Sequence, residues 1–270
     1  MSNLEGLTGQ LAGRSALITG GGEGIGRGLA AAFLKEGARV VIAEFNAPLG
    51  QRTAEELGKE TGGEIVYVPC DVSDKSQMQS AVAETVSRYG GIDILVNNAW
   101  SGGELSRVEH KTDELLAKAF AVGYYGPFWA MQAAFPTMKA AQYGRVISLC
   151  SLNGVNAHMG TTEYNSAKEA LRALTRTAAR EWAPYGIVAN IICPGARSAA
   201  FLRVVKEHPE IESSADAANP MGRLGDPEND IAPVAVFLAG EGARYLTGNT
   251  LFVDGGSHIN GSSWAPVLPE

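Results

Sequence analysis

Short runs of apolar, mostly β-branched residues alternate with longer stretches of helical pattern along most of the chain. Continuous apolar runs of this length are typical of strands that are buried on both faces. Strands of this kind separated by helices predict an α/β fold, in which a parallel sheet carries helices on both faces. The predicted strands lie at 16–18, 40–42, 65–68, 92–96, 146–149 and 187–192, and the predicted helices at 25–35, 48–61, 74–89, 112–140 and 162–184.

Charge and cysteine usage exclude several classes of function. A formal net charge of −7 and a pI near 5.2 argue against a broad nucleic-acid surface and against acidic membranes. The cysteines, Cys70, Cys150 and Cys193, lie far apart without a CxxC motif, so neither a metal site nor a disulfide framework is predicted. No basic segment followed by an apolar one opens the sequence, and the apolar run 121–136 is too short to span a bilayer. We therefore expect a reduced, cytoplasmic protein without a membrane segment.

A glycine-rich turn stands between the first predicted strand and the first predicted helix, with the sequence Thr19-Gly20-Gly21-Gly22-Glu23-Gly24-Ile25-Gly26. Glycines at such a place let the backbone turn sharply and approach a pyrophosphate, which the helix N-terminus then stabilises. Glycine also serves ordinary turns, but a strand before and a helix after are the context that a dinucleotide site requires. We predict that this turn binds a dinucleotide through Gly20, Glu23, Gly24, Ile25 and Gly26.

Glu44 ends the second predicted strand, close to the ~20-residue offset at which a carboxylate binds the adenosine ribose hydroxyls. A carboxylate there would repel the 2′-phosphate of NADP. Glu23 adds negative charge in the phosphate turn, and no Arg or Lys nearby in the sequence offsets it. We therefore predict NAD as the cofactor, with a solvated charge at the strand end as the alternative for Glu44.

Polar residues also follow the third and fourth predicted strands. The Asp71 side chain could accept a hydrogen bond from an adenine amino group while Val72 packs on the ring. An N-cap role for Asp71 or Ser73 in the next helix fits equally well. Asn98 and Ala99 follow the fourth strand, where a short amide could satisfy backbone groups in a tight loop beside the cofactor.

Tyr164 and Lys168 are one turn apart in the predicted helix 162–184 and therefore share a face. A phenol with a pKa near 10 is a poor acid–base group at neutral pH. An ammonium one turn away favours the phenolate and lowers that pKa, so the pair predicts a proton shuttle. The alternative is that Tyr164 and Lys168 are two exposed helix residues without a catalytic role, since this spacing is common.

Together these motifs resemble those of the short-chain dehydrogenase/reductase family. The matching elements follow the family's order and spacing from about Leu11 to Gly256, and they are the TGxxxGxG turn, Asn97-Asn98-Ala99, Ser151, YxxxK, Cys193-Pro194-Gly195 and Val253-Asp254-Gly255-Gly256. The joint match is specific, whereas no single element is. The resemblance implies a doubly wound Rossmann fold with a seven-stranded parallel sheet of order 3-2-1-4-5-6-7. It also implies a single NAD-binding domain over 1–270, with a short tail from about 257, and a homotetramer.

By the same resemblance, Tyr164 is the general acid/base, and Lys168 activates it and holds the nicotinamide ribose. Ser151 lies thirteen residues before Tyr164, as in the family, and would hydrogen-bond the substrate oxygen. A hydroxyl and a phenol that converge on a carbonyl polarise it while the cofactor delivers hydride. Pro194 and Gly195, after the sixth strand, would line the nicotinamide.

Three positions depart from the family's pattern. Trp100 stands where the family's NNAG motif has its glycine. Ala199 stands where the family has a threonine that contacts the nicotinamide carboxamide, and the adjacent Ser198 is a possible substitute. The family's Asn in the helix before strand five falls at Gly123. That Asn is thought to hold a water of the proton path through its backbone carbonyl, which glycine keeps. We expect the path to survive, with the local kink set by Pro127, and Gly123→Asn to change turnover by less than about tenfold.

Loops at the carboxyl ends of the strands usually build the substrate pocket in this architecture. The candidate substrate residues in these loops are Trp100, Leu152, His158 and Phe201, although an exposed loop histidine is the alternative for His158. They indicate an apolar pocket for a bulky secondary alcohol or ketone. The aromatic segment 124–135 and the helix of Tyr164 carry more large side chains than one sheet face needs, which predicts packing against another subunit.

We therefore predict an NAD-dependent dehydrogenase/reductase, without a metal, that interconverts a secondary alcohol on an apolar or cyclic compound and its ketone. A 3-oxoacyl thioester reductase shares the fold and the catalytic residues, but it usually prefers NADP. A catalytically weak dinucleotide-binding protein is the alternative from another class. Gly123 and Ala199 favour it, whereas Ser151, Tyr164 and Lys168 oppose it.

Overall fold

Seven parallel strands form one sheet in the order β3-β2-β1-β4-β5-β6-β7, in a computed structural model that describes residues 9–260. The doubly wound α/β fold with this strand order is confirmed. The strands are β1 (Ser15–Thr19), β2 (Arg39–Glu44), β3 (Ile65–Pro69), β4 (Ile94–Asn97), β5 (Gly144–Leu149), β6 (Ile187–Pro194) and β7 (Thr250–Val253).

Helices connect the strands. They are α1 (Gly24–Lys35), α2 (Ala47–Thr61), α3 (Lys75–Tyr89), α4 (Asp113–Phe120), α5 (Gly126–Ala141), α6 (Leu152–Val155), α7 (Thr162–Trp182), α8 (Ala199–Glu207), α9 (Glu210–Ala218), α10 (Ala232–Ala239) and α11 (Ser257–Asn260). In the part of the chain described here, no helix is both long and apolar enough to cross a membrane.

The central strands are apolar without alternation because both faces of the sheet are covered. All residues of β1 and β5 are buried. On one face, Phe33 of α1 and Leu238 of α10 enter the core, and on the other, Met78 of α3 and Met138 of α5 do so. Two buried layers of side chains therefore hold the strands in one plane, so that their carboxyl ends meet at one edge.

Two predicted boundaries differ from the structure at places where an aspartate side chain accepts backbone hydrogen bonds. The strand predicted from residue 92 begins at Ile94, and the Asp93 carboxylate accepts hydrogen bonds from the backbone and the hydroxyl of Ser15. The predicted N-caps of the third helix, Asp71 and Ser73, are wrong. Asp74 caps α3, because its carboxylate accepts from the backbone amides two and three residues later.

The helix predicted over 112–140 is divided by a wider turn of π type, Ala121–Tyr125, in which the amide of Gly126 donates to the carbonyl of Ala121. Pro127 follows directly and has no N–H to donate to the Gly123 carbonyl four residues earlier. Of the predicted tail from about 257, Ser257–Asn260 form the short helix α11. The remainder of the tail lies outside the described residues, and a single domain over 1–270 stays a prediction.

Candidate active site

The carboxyl ends of β1 and β4 are joined through the Asn98 side chain. Its amide donates to the carbonyl oxygens of Thr19 and Gly20 at 2.9 and 3.0 Å. The Thr19 hydroxyl oxygen accepts from the backbone amides of Asn98 and Ala99 at 3.0 and 3.1 Å. These bonds fix the start of the glycine-rich turn, as the sequence predicted for a short amide at this place.

The glycine-rich turn has the shape of an anion cradle. Gly20 and Gly24 have φ of 64° and 54°, which is the left-handed region that favours glycine. A Cβ on Gly26 would lie 2.1 Å from the Gly20 carbonyl oxygen, so the turn can close only on glycine. No side chain caps the N-terminus of α1 at Glu23. The first amides of α1, including that of Ile25, therefore point toward a place that suits a phosphate.

Glu44 is held between two turns and is not simply a solvated charge. Its carboxylate accepts from the amide of Gly22 at 3.2 Å and from the amide of Asn46 at 3.0 Å. These bonds place the carboxylate beside the glycine-rich turn, where the ribose of a dinucleotide was predicted. Binding of that ribose by Glu44 stays a prediction.

The charge of Glu23 is offset, contrary to the sequence prediction. Arg203 of α8 forms an ion pair with Glu23, because α8 folds back over the glycine-rich turn. Ala199 at the start of α8 lies against Gly24, since a Cβ there would meet the Ala199 amide nitrogen at 2.8 Å. Glu23 therefore no longer argues against a 2′-phosphate, and the predicted preference for NAD depends on Glu44.

The remaining predicted cofactor residues lie around the same edge of the sheet. Asp71 follows β3 and accepts from the amide and hydroxyl of Ser73 at 2.9 and 2.6 Å, whereas Val72 is buried against Gly126. At the end of β6, Gly195 after Pro194 packs on Asp254, which a Cβ would approach to 2.8 Å. Ser198 caps α8 by accepting from the amide of Phe201 at 3.2 Å.

Lys168 is buried, and its ammonium group donates a hydrogen bond of 2.8 Å to the carbonyl of Leu149 at the end of β5. Ser151 is also buried, and its hydroxyl oxygen accepts from the amide of Asn153, which caps α6. The Ser151 hydroxyl also lies near the Tyr164 phenol and lowers its pKa. The end of β5 and the first turn of α7 therefore bring Ser151, Tyr164 and Lys168 together.

Burial controls the proton affinities of this group. It raises the pKa of Tyr164 to about 12, against the smaller lowering effect of the Ser151 hydrogen bond. Burial also lowers the pKa of Lys168 from its usual value. Burial therefore outweighs the lowering of the Tyr164 pKa that was expected from Lys168, because loss of solvent opposes the phenolate and the ammonium alike.

Two of the positions that depart from the family's pattern are in contact. The Trp100 ring meets the Tyr164 ring edge to face, with centroids 4.7 Å apart and planes at 81°. A Cβ on Gly123 would lie 2.8 Å from Cζ3 of Trp100. The expectation that Gly123→Asn changes turnover by less than about tenfold stays a prediction, but a side chain at position 123 would have to displace the Trp100 ring, because that space is filled.

The candidate substrate residues divide into separate places. Trp100 lies at the catalytic group, Leu152 begins α6 directly after Ser151, and Phe201 lies in α8. His158 is buried, so an exposed loop histidine is wrong. It lines a cavity of about 620 Å³ together with other residues near the start of α7, but Ser151, Tyr164 and Lys168 do not line that cavity.

A buried ion pair beside Tyr164 escaped the sequence analysis. The Lys111 ammonium lies 2.7 Å from the Glu163 carboxylate, and the two side chains are 2% and 1% exposed. Glu163 also accepts from the amide of Glu104 at 3.0 Å. The pair therefore ties the segment after β4 to the first turn of α7. Nothing in the local sequence identifies a partner 52 positions away.

No group of three or more His, Cys, Asp or Glu side chains within residues 9–260 is arranged to hold a metal ion.

Comparison with known proteins gives consistent matches over nearly the whole chain. A family model described as enoyl-(acyl carrier protein) reductase matches residues 20–258. The chain is 35% identical to 12alpha-hydroxysteroid dehydrogenase of a Clostridium species over 250 residues, which cover 90% of this chain and 96% of that protein. It is 36% identical to galactitol 2-dehydrogenase (L-tagatose-forming) of Cereibacter sphaeroides over 249 residues, with coverage of 92% and 96%. The crystal structure of a 3-ketoacyl-(acyl-carrier-protein) reductase from Brucella melitensis complexed with NADH superposes with a TM-score of 0.85 at 30% identity, covering 92% of this chain and all of that one.

Glu163→Gln should destabilise the protein because it keeps the side-chain size but removes the negative charge beside the buried Lys111 ammonium, which then has only the carbonyl of Glu104 as a partner. We expect a loss of about 3 kcal/mol in the free energy of unfolding, measured by urea denaturation. The matched control is Glu84→Gln. Glu84 forms an ion pair with Arg88 in which the two side chains are 42% and 46% exposed. The control should lose less than about 1 kcal/mol.

The same pair predicts a pH dependence. Burial alone would raise the pKa of Glu163, but hydrogen bonds from Lys111 and from the Glu104 amide lower it below its usual value. The stabilisation is therefore present above the ordinary carboxyl pKa of about 4.3 and is lost as the pH falls through the lowered value. The stability difference between the native protein and Glu163→Gln should narrow below about pH 4. A difference that stays constant from neutral to acid pH would contradict this assignment.

Proposed function

The chain belongs to the short-chain dehydrogenase/reductase family, and on that premise we propose that it is an NAD-dependent alcohol dehydrogenase/reductase. The proposed reaction interconverts a secondary alcohol on an apolar or cyclic compound and its ketone. The observation that carries the proposal is the convergence of Ser151, Tyr164 and Lys168, with the Lys168 ammonium anchored on the Leu149 carbonyl at 2.8 Å.

In the proposed reaction, each of the three side chains has one task. The Ser151 hydroxyl donates to the substrate oxygen and holds it next to the phenol. Tyr164 donates its proton to the ketone oxygen in reduction and takes the proton of the alcohol in oxidation. Lys168 supplies positive charge beside the phenol and is held by the end of β5. The glycine-rich turn and Glu44 would hold a nicotinamide dinucleotide, which would supply the hydride for reduction of the ketone carbon or accept it from the alcohol carbon.

The residues at the carboxyl ends of β1 and β2 fit a nicotinamide dinucleotide. The uncapped N-terminus of α1 and the closed glycine turn suit its pyrophosphate. The Glu44 carboxylate, held by the amides of Gly22 and Asn46, suits a ribose diol and disfavours a 2′-phosphate. The similar Brucella reductase was crystallised as a complex with NADH, which is the cofactor without that phosphate. NAD is therefore the proposed cofactor.

A 3-oxoacyl thioester reductase is the second candidate. The Brucella structure is a 3-ketoacyl-(acyl-carrier-protein) reductase, and the family model that matches the chain is described as enoyl-(acyl carrier protein) reductase. The hydroxysteroid and galactitol dehydrogenases favour the alcohol instead. A catalytically weak binding protein is the least favoured alternative, because burial of the Lys168 ammonium beside Tyr164 costs stability and has a clear use in proton transfer.

A reducing, cytoplasmic location is part of the proposal. Cys70, Cys150 and Cys193 are all buried and free of disulfides. Burial raises the pKa of each thiol to about 12, which keeps them protonated and unreactive.

Tyr164→Phe should lower kcat at least 100-fold, because it removes the proton donor and leaves the ring. The assay follows NADH formation or consumption with a panel of cyclic and acyclic secondary alcohols, their ketones and a 3-oxoacyl thioester. Binding of NADH, measured by fluorescence, should stay within about threefold. Tyr185→Phe is the matched control, because Tyr185 packs on Phe135 at the far end of α7. An active Tyr164→Phe protein would mean that another residue transfers the proton.

The NAD preference should depend on Glu44. We expect NADH to bind at least tenfold more tightly than NADPH, since a mispaired charge costs on the order of 1–3 kcal/mol. Glu44→Gln, which keeps an acceptor for the Gly22 amide, should reduce the preference, and Glu44→Arg should reduce it further or reverse it. Glu55→Arg, on an exposed position of α2, is the control for overall charge. Equal or tighter binding of NADPH by the native protein would rule out NAD specificity.

We also propose a homo-oligomer, a tetramer by family resemblance. Phe135 stacks on Trp182 of the same chain, with ring centroids 4.8 Å apart. Tyr125 stacks on Trp129 but is still 46% exposed. This part of the aromatic segment therefore offers an apolar surface to a second copy. Light scattering at assay concentration should give a multiple of 28.3 kDa, close to four times that mass. A value near the monomer mass would contradict the proposal.

A further inference from the structure

Trp100 touches both members of the proposed acid–base pair. Its ring meets the Tyr164 ring edge to face at a centroid distance of 4.7 Å. The Lys168 ammonium lies 5.4 Å from the centre of the same indole ring, within the range of a cation–π contact. The residue directly after the Asn97-Asn98-Ala99 turn is therefore part of the packing around the reacting groups.

Gly123 supplies the space that this ring occupies. A Cβ at position 123 would lie 2.8 Å from Cζ3 of Trp100 and 3.0 Å from Cβ of Ala167. The backbone itself does not require glycine, because the φ of Gly123 is not positive. Glycine in a helical segment lowers stability relative to alanine. The missing side chain therefore has a packing reason, which is the indole ring.

The ring has little freedom to move away from position 123. The backbone before Trp100 is fixed by the amides of Asn98 and Ala99 on the Thr19 hydroxyl. Tyr164 and Lys168 contact the ring, and Lys168 is anchored on Leu149. A side chain at position 123 would therefore displace the indole toward the phenol and the ammonium.

We propose that Trp100 is a positioning residue for Tyr164 and Lys168, and that Trp100 and Gly123 form a matched pair. Trp100 holds the phenol ring in place and keeps water from that side of the pair. The positioning role rests on the proposed function, because it assumes that Tyr164 and Lys168 transfer the proton. The packing of Trp100 against Gly123 does not rest on it.

A double-mutant cycle in thermal stability tests the matched pair without any substrate. Gly123→Ala should lower the Tm by about 3 °C or more in the native background. In the background of Trp100→Leu, whose shorter side chain does not reach position 123, the same change should cost less than about 1 °C or raise the Tm. If Trp100→Leu fails to fold, Trp100→Phe serves as the second background, because the single ring of phenylalanine is also shorter than the indole.

The control for the cycle is Gly58→Ala. Gly58 lies in α2, and a Cβ there would meet its nearest neighbour, the Cγ2 of Ile65, at an ordinary 3.5 Å. It should raise the Tm equally in both backgrounds, because alanine is the better helix former and Trp100 is remote. An equal loss from Gly123→Ala with and without Trp100 would overturn the matched pair.

Ionisation of Tyr164 tests the positioning role, also without substrate. The phenolate absorbance of the protein minus that of Tyr164→Phe reports this residue alone. The groups that face the phenol are Ser151, Lys168, Cys150 and Cys193. Trp100→Leu leaves them in place but admits water, so Tyr164 should ionise at lower pH than in the native protein. Trp100→Phe should shift it less, because an aromatic ring remains.

Kinetics with any substrate found in the panel completes the test. Trp100→Leu should lower kcat at least tenfold per folded molecule while NADH affinity changes less than about threefold, and Trp100→Phe should keep at least a third of kcat. Unchanged kcat and unchanged Tyr164 ionisation in Trp100→Leu would overturn the positioning role. If the native protein turns over no substrate, the proposed function fails, whereas the stability cycle and the titration still decide the packing and the shielding.

Discussion

All strands of the sheet run in one direction, and both faces of the sheet are buried. The chain must therefore cross from the carboxyl end of one strand to the amino end of the next, and every functional turn lies at one edge. The uncapped end of α1 follows β1, Glu44 ends β2, and Lys168 of α7 is anchored on the end of β5, so elements that are distant in sequence meet at this edge. Because the end of β5 is buried, the carbonyl of Leu149 accepts its hydrogen bond from the buried Lys168 ammonium. Fold and site thus follow from one constraint, which is that buried backbone groups need partners.

At the centre of the site, removal of water has more effect than the charge of the neighbouring lysine. Burial alone moves the pKa of Tyr164 up and that of Lys168 down, so both move toward the neutral form. Only the hydrogen bond from Ser151 acts in the direction of the phenolate. The proposed proton transfer therefore depends on how dry the pair is kept. Trp100 contacts both members of the pair, and the ion pair of Lys111 with Glu163 holds the segment after β4 against the first turn of α7.

Local sequence patterns predicted most of the fold and the places of the motifs. The buried strands, the glycine-rich turn and the four-residue spacing of Tyr164 and Lys168 depend on neighbours within a few residues. What the sequence could not predict depends on contacts between distant segments. Arg203 forms an ion pair with Glu23, which is 180 positions away in the sequence. Glu163 in α7 forms an ion pair with Lys111, which lies before α4. The burial of His158 depends on the path of the loop before α7, and the cap of α3 at Asp74 depends on the path of the loop after β3.

The departures from the family's pattern show why a motif should be compared in three dimensions. In the sequence, Trp100 and Gly123 are two separate departures, a missing glycine and a missing asparagine, and the one at Gly123 favours a weakened enzyme. In the structure the two positions share one volume, which the indole fills when the side chain at 123 is absent. Ala199 likewise lies directly on Gly24, where its small size permits the close approach of α8 to the glycine-rich turn. At position 123 the space of the missing side chain is filled by the indole ring of a residue that contacts the proposed reacting groups, so the departures at 100 and 123 compensate each other in packing and are not two independent losses.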